Sequence, residues 1–147
     1  ILSASPVDID GDNYESAEKK LADAGADLFA KTVKKFVEEG LRLSPQDHEK
    51  ATFTKKFSIE DGKVDIREIR EVISGASEEK AVAIDRKIRA LNPEPGVWVV
   101  AKPADDLGLR GFGSEEKRIK LLEAFVQSGT LKLLRVQIEG KMPVRVS

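Results

Sequence analysis

Apolar residues recur at helical spacing through residues 13–39. Tyr14, Ala17, Leu21, Ala24 and Leu28 form one stripe, and Phe29, Val33, Phe36 and Val37 continue it. Side chains three or four apart share a helix face, so this spacing predicts an amphipathic helix. Gly25 either divides it in two or bends it, and Gly40 is a natural stop. Asp12 and Glu15 have capping-box-like spacing, and acids favour the positive start of a helix. Ahead of this helix, ILSASPVDI is expected to form a β-strand. A lone strand leaves its edges unpaired and is too little to cover the stripe. From both features, and from an opening Ile1 where a start Met would stand, a fragment or one chain of a cleaved protein is expected.

The helical spacing disappears over residues 41–60, where Pro45 and its polar neighbours have the composition of a linker. It returns at Ile66, Ile69, Val72 and Ile73, a short helix with a capping-box-like start at Asp65 and Glu68. Gly75 interrupts it. Ser77 can cap a further helix that turns Ala81, Ile84, Ile88 and Leu91 inward and leaves Arg86, Lys87 and Arg89 elsewhere on its surface. Asn92-Pro93 ends that helix, because proline lacks an N–H and disfavours helical backbone in the residue before it. Pro95-Gly96 then suits a tight turn in which Gly96 takes positive φ.

Beyond this corner the pattern is that of strands, predicted over Val97–Lys102, Arg118–Val126 and Thr130–Glu139. Ser128-Gly129 is the turn between the last two. Leu131 and Leu133 share one parity, whereas Leu134, Val136 and Ile138 share the other, and a bulge near Leu133-Leu134 reconciles them. Trp98, between Val97 and Val99, is expected in the core or at an interface, with its bulk over the helix that ends at Leu91. Residues 103–116 form a polar loop, whose glycines do not follow the G-x-G-x-x-G phosphate-binding pattern.

Composition sharpens this picture. A chain of 147 residues, 40% hydrophobic and 35% charged, suits one ordinary domain or two small pieces. No apolar run approaches the ~18 residues that span a bilayer, so no membrane contact is expected. The acidic start lacks the basic region of a signal peptide. The absence of cysteine excludes disulfides and thiolate metal sites and fits a cytoplasmic setting. The net charge of −1 hides an asymmetry: residues 1–40 carry nine acids against five lysines, whereas residues 100–147 carry nine bases against six acids.

Candidate chemistry is sparse. Asp8, Asp10 and Asp12 have the first spacings of a calcium loop, but Asn13 stands where the glycine belongs and Lys19 where the bidentate glutamate belongs. His48 is the only histidine, in a polar stretch without an orienting partner, and is expected to be solvated. Neither a metal site nor a catalytic residue is expected in this chain.

Four stretches carry a resemblance. They are Gln46-Asp47 with Ala51-Thr52-Phe53; Glu60-Asp61-Gly62-Lys63-Val64-Asp65; Ile88-Arg89-Ala90-Leu91-Asn92-Pro93-Glu94-Pro95-Gly96; and Glu139-Gly140-Lys141-Met142-Pro143. In this order they resemble the C-terminal portion of methionyl-tRNA formyltransferases. Glu94 replaces the tryptophan usual in that family's N-P-W-P. The resemblance implies an α+β fold. A strand and helices from the end of an α/β formyltransferase domain would occupy residues 1–42, and a linker residues 43–54. Residues 55–147 would form a tRNA-binding domain, with a helical segment leading into a small antiparallel OB-like β-barrel, full or reduced.

By the same resemblance the parent enzyme would use 10-formyltetrahydrofolate as co-substrate, none of it bound by this portion, and initiator methionyl-tRNA as partner. The family's catalytic Asn, His and Asp would belong to a missing N-terminal part of the catalytic domain. Lys55, Lys56, Lys87, Arg89 and Lys141 are the expected phosphate-contacting residues. Asn92, Pro93, Pro95 and Gly96 would be architectural. Formyltransferases acting on nucleotide sugars or other small substrates, and a stand-alone interaction module, are the alternatives.

Overall fold

The computed structural model describes residues 4–40, 44–105, 107, 109 and 114–146. They divide into two units, Ile1–Lys56 and Phe57–Ser147.

The first unit is built on one helix, α1 (Tyr14–Glu39), which runs through Gly25 without a break. Gly25 neither divides nor ends it, because a single glycine costs a helix only ~1 kcal/mol. Gly40 closes it with φ 62°, as the sequence predicts. The cap differs from expectation. Asn13, not Asp12, is the N-cap: its Oδ1 accepts the Ser16 N–H at 2.8 Å, while Ser16 Oγ accepts the Asn13 N–H at 3.1 Å. Asp12 instead accepts the Ser16 hydroxyl and pairs with Lys20 at 2.6 Å. No residue of α1 is buried, and Phe29 and Val37 are 69% and 77% exposed. The predicted opening strand falls partly on residues 1–3, outside the described residues, and residues 4–9 form no strand. His48 lies in an exposed 3-10 turn, His48–Lys50, capped by Asp47.

The second unit places two helices, α2 (Ile66–Ile73) and α3 (Glu78–Leu91), against one face of an antiparallel sheet. Its strands are β1 (Val97–Ala101), β2 (Lys117–Gln127), β3 (Thr130–Ile138) and β4 (Val144–Arg145). They form an open meander in the order β1-β2-β3-β4. Ile69, Val72, Ala81, Ile84, Ile88 and Leu91 from the helices meet Val97, Val99, Ile119, Leu121, Leu131, Leu133, Val136 and Ile138 from the strands. Each buried aliphatic side chain contributes ~1.5–3 kcal/mol, so this unit carries its own core.

The predicted bulge is present and has a counterpart. Leu121 pairs with Val136, Glu123 with Arg135 and Ala124 with Leu133, so Leu122 and Leu134 both drop out of the ladder. This turns Leu131, Leu133, Val136 and Ile138 to the core, while Leu134 is 42% exposed. Ser128 (φ 50°) and Gly129 (φ 74°) make the two-residue turn.

Asp65 begins α2. Its Oδ1 accepts the Arg67 backbone N–H at 2.8 Å, and the Arg67 guanidinium reaches both of its oxygens. The Arg67 side chain, helped by its backbone N–H, draws the carboxyl from 3.8 down to about 2. A folded pKa below the unfolded one stabilises above the unfolded value and is lost as pH falls through the folded one. The Asp65 contribution is therefore complete above about pH 4 and fades towards pH 2. In a carboxyl-carbon NMR titration Asp65 should show a midpoint near 2, moving up in Arg67→Ala. A wild-type midpoint at the ordinary value would refute this arrangement.

Candidate nucleic-acid interface

The corner between α3 and β1 aims the outer face of the sheet. Asn92 stops α3, and its side-chain amide donates to the carbonyls of Ile88, Leu121 and Leu122 at 2.9, 2.9 and 3.2 Å. One side chain thus ties the helix end to β2 at its bulge. Asn92-Pro93 and Glu94-Pro95 are both cis. Gly96 takes φ 80° and donates its N–H to the Leu91 carbonyl at 2.8 Å. The glycine is required there, since a side chain at that φ would be strained.

Behind this corner the segment Ile59–Val64 runs along the outer edge of β1. Ile59–Gly62 is a 3-10 turn closed by Asp61, which accepts the Ser58 N–H and hydroxyl at 2.7 and 2.8 Å. Lys63 then bridges Trp98 in parallel, and the Val64 N–H donates to the Trp98 carbonyl at 2.9 Å.

Trp98 is 5% exposed, as expected of a buried residue, but on the opposite side from the one predicted. Val97 and Val99 face the helices, so the strand's alternation turns Trp98 to the outer face, away from Leu91. There its Nε1–H donates to the Ile59 carbonyl at 2.9 Å. Two cations cover the ring, with Lys63 Nζ 5.3 Å and Arg118 Cζ 4.0 Å from its centroid. Both are within the ~6 Å range of cation–π attraction. So little of the ring is exposed that it offers no face to a stacking base.

The predicted phosphate contacts are spread over both units. Lys55 and Lys56 are exposed, on irregular backbone at the end of the first unit. In the second unit Lys87 Nζ donates to the Lys63 carbonyl at 2.9 Å, linking α3 to the edge segment. Arg89 Nε pairs with Asp85 at 3.0 Å along the same helix, with the two side chains 26% and 15% exposed. Lys141 is exposed just past β3, and its carbonyl accepts from the Gln137 side chain at 3.0 Å.

Two further cations were not singled out in the sequence. Arg118 and Lys120 point outward from β2, alternating with Ile119 and Leu121, which face the core. Lys120 lies between Trp98 and Gln137 in register. With Gln137, Glu139 and Gly140 they line an open depression of about 230 Å³. The period-2 pattern of Lys117–Leu121 was the available signal, but only the pairing with β1 shows that both cations sit beside the tryptophan. Among the described residues, no three His, Cys, Asp or Glu side chains converge as metal ligands, and no helix is long and apolar enough to cross a membrane.

No known protein-family profile matches the chain. Individual curated proteins do. A methionyl-tRNA formyltransferase of Paramagnetospirillum magneticum is 31% identical over 147 aligned positions, covering 86% of this chain and 40% of that protein. One from Bartonella tribocorum is 28% identical over 138 positions, covering 93% of this chain and 38% of that protein. One from Carboxydothermus hydrogenoformans reaches 40% identity over 82 positions, covering 56% of this chain. The chain is homologous to part of the methionyl-tRNA formyltransferases.

It spans about two fifths of the length of the first two relatives and 23% of the third. Within that span the structure gives local roles to the motifs behind the resemblance. Gly62 packs against the backbone of the Asn92–Gly96 corner, Val64 enters the core, Asp65 caps α2, and Asn92 fastens α3 to β2.

Proposed function

We propose that this chain is the tRNA-holding C-terminal portion of a methionyl-tRNA formyltransferase. The observation that carries this reading is homology along 86–97% of the chain to several proteins of that name. Residues 1–42 would complete a formyltransferase domain, residues 43–54 would link, and residues 55–147 would hold tRNA as an OB-like domain reduced to an open sheet. The whole enzyme, cytoplasmic, would move a formyl group from 10-formyltetrahydrofolate to the amino group of initiator methionyl-tRNA. Acid–base groups in the remaining length would assist attack of the amine on the formyl carbon. The depression on β2 and β3 does not fit the co-substrate. It is open and lined by charged groups, and at about 230 Å³ it is smaller than the ~300–1,000 Å³ typical of ligand clefts. This portion's task is to hold RNA.

Lys55, Lys56, Lys87, Arg89 and Lys141 would act through phosphates. Such contacts release counterions, so each one lost lowers the log–log salt slope of binding by roughly 0.7–0.9. Lys55→Gln with Lys56→Gln should lower it by about 1.4–1.8. Affinity for initiator and elongator tRNAs should fall alike, because phosphate contacts carry no sequence information. Binding titrations at several salt concentrations decide it. An unchanged slope would remove this pair from the RNA face and favour a formyltransferase of small substrates.

A further inference from the structure

We propose that Arg118 and Lys120, set beside Trp98 on the outer face of the sheet, form a phosphodiester-binding site for the tRNA. The inference deepens the tRNA-holding reading and rests on it. It adds two residues of β2 to the five cations above.

Three observations carry it. First, among the described residues neither Arg118 nor Lys120 is paired with a carboxylate, although this surface is rich in ion pairs: Arg135 meets Glu123 at 3.0 Å and Lys102 meets Glu116 at 3.5 Å. Glu139, the one acid lining the depression, lies near the Arg118 backbone N–H at 3.4 Å and makes no ion pair with the guanidinium. Two cations left unpaired on a rigid strand are poised for an anion from outside.

Second, Arg118 is held in place. Its guanidinium lies over the indole of Trp98, 4.0 Å from the ring centroid. The indole is itself fixed by the hydrogen bond to Ile59 and is almost wholly buried. Stacking on an aromatic face lowers the entropy lost when a guanidinium takes up a phosphate, because the planar fork is already ordered. Trp98 is thus a positioning residue for Arg118.

Third, the shape suits a backbone and not a base. The depression is open and polar, and Gln137 supplies a neutral amide beside Lys120. The tryptophan has no free face for stacking. The site therefore takes phosphate charge without reading sequence.

Trp98 is the only tryptophan in the chain, so its fluorescence reports on this place alone. The test is a titration of the full chain with unfractionated tRNA at several salt concentrations. Wild type is compared with Arg118→Gln/Lys120→Gln, with the charge-conserving Arg118→Lys/Lys120→Arg, and with the Lys55/Lys56 double variant. Far-UV circular dichroism and urea midpoints confirm that each variant is folded.

Wild-type Trp98 emission should change on binding and recover with added salt. The glutamine pair should abolish that change and lower the salt slope by about 1.4–1.8, while the charge-conserving pair keeps most of the slope. If the glutamine pair binds with wild-type slope while the Lys55/Lys56 variant is weakened, this site is wrong and the tRNA reading stands. If wild type shows no salt-dependent binding at all, both fall.

Discussion

Trp98→Ala is expected to destabilise the Phe57–Ser147 unit by ~3–5 kcal/mol, the range for deleting a well-packed tryptophan. The ring does more than fill space. Its indole N–H is the partner of the Ile59 carbonyl, and its two flanking cations, Lys63 and Arg118, come from segments on either side of β1. Truncation leaves that carbonyl without its donor and removes the surface on which the Ile59–Val64 segment lies. Trp98→Phe keeps a ring and loses only the donor and part of the area, so it should cost about 1–2 kcal/mol. Small domains have only ~5–15 kcal/mol in total, so the alanine variant should be marginal at 37 °C. Urea melts followed by circular dichroism measure both. A loss below ~1 kcal/mol for Trp98→Ala would show that the ring is not packed as described.

Gly62→Ala should cost about 3 kcal/mol or more, because overpacking against backbone cannot be relieved by a rotamer change. A methyl group on Gly62 would overlap the carbonyl oxygen of Gly96 and come within 3.0 Å of its carbonyl carbon. That carbonyl belongs to the turn whose N–H is bonded to Leu91. Relief would mean moving either the corner or the edge segment, and Trp98 holds the edge segment. Gly140→Ala is the control: φ is 76° but no atom lies within 4 Å of the added methyl, leaving only the ~1–2 kcal/mol of left-handed backbone strain. Equal effects from the two substitutions would contradict the close approach of Gly62 and Gly96.

Much of the second unit was legible because its signals are local. The alternation of apolar positions marked α2, α3 and three strands to within about a residue, and Ser77, Asn92 and Gly96 act where their chemistry requires. The bulge could be inferred because Leu131 and Leu133 conflict in parity with Val136 and Ile138. Its counterpart at Leu122 was missed, although β2 carries the same signal: Ile119 and Leu121 share one parity, and Ala124 and Val126, which also pack on the core, share the other. The N-cap of α1 was misplaced by one residue because Asp12 and Asn13 are both good capping residues, and the folded geometry joins Asn13 with Ser16 in the capping box while Asp12 takes the Ser16 hydroxyl.

The candidate site was harder to see, for physical reasons. A lysine's role depends on what stands opposite it across a strand or a loop. Lys87 and Arg89 looked alike on the helix surface, yet one bonds a distant carbonyl and the other a neighbouring acid. Arg118 and Lys120 gained their place beside Trp98 through pairing of strands separated by the long 102–116 connection. Trp98 itself was recognisable as buried, but the side it faces depends on the parity of β1 relative to the helices.

The central claim, that this chain holds tRNA through its phosphates, is tested most directly by the wild-type salt titration. Three or more phosphate contacts predict a log–log slope of about −2 or steeper, similar for initiator and elongator tRNAs. A slope near zero, or no binding at low salt, would contradict it.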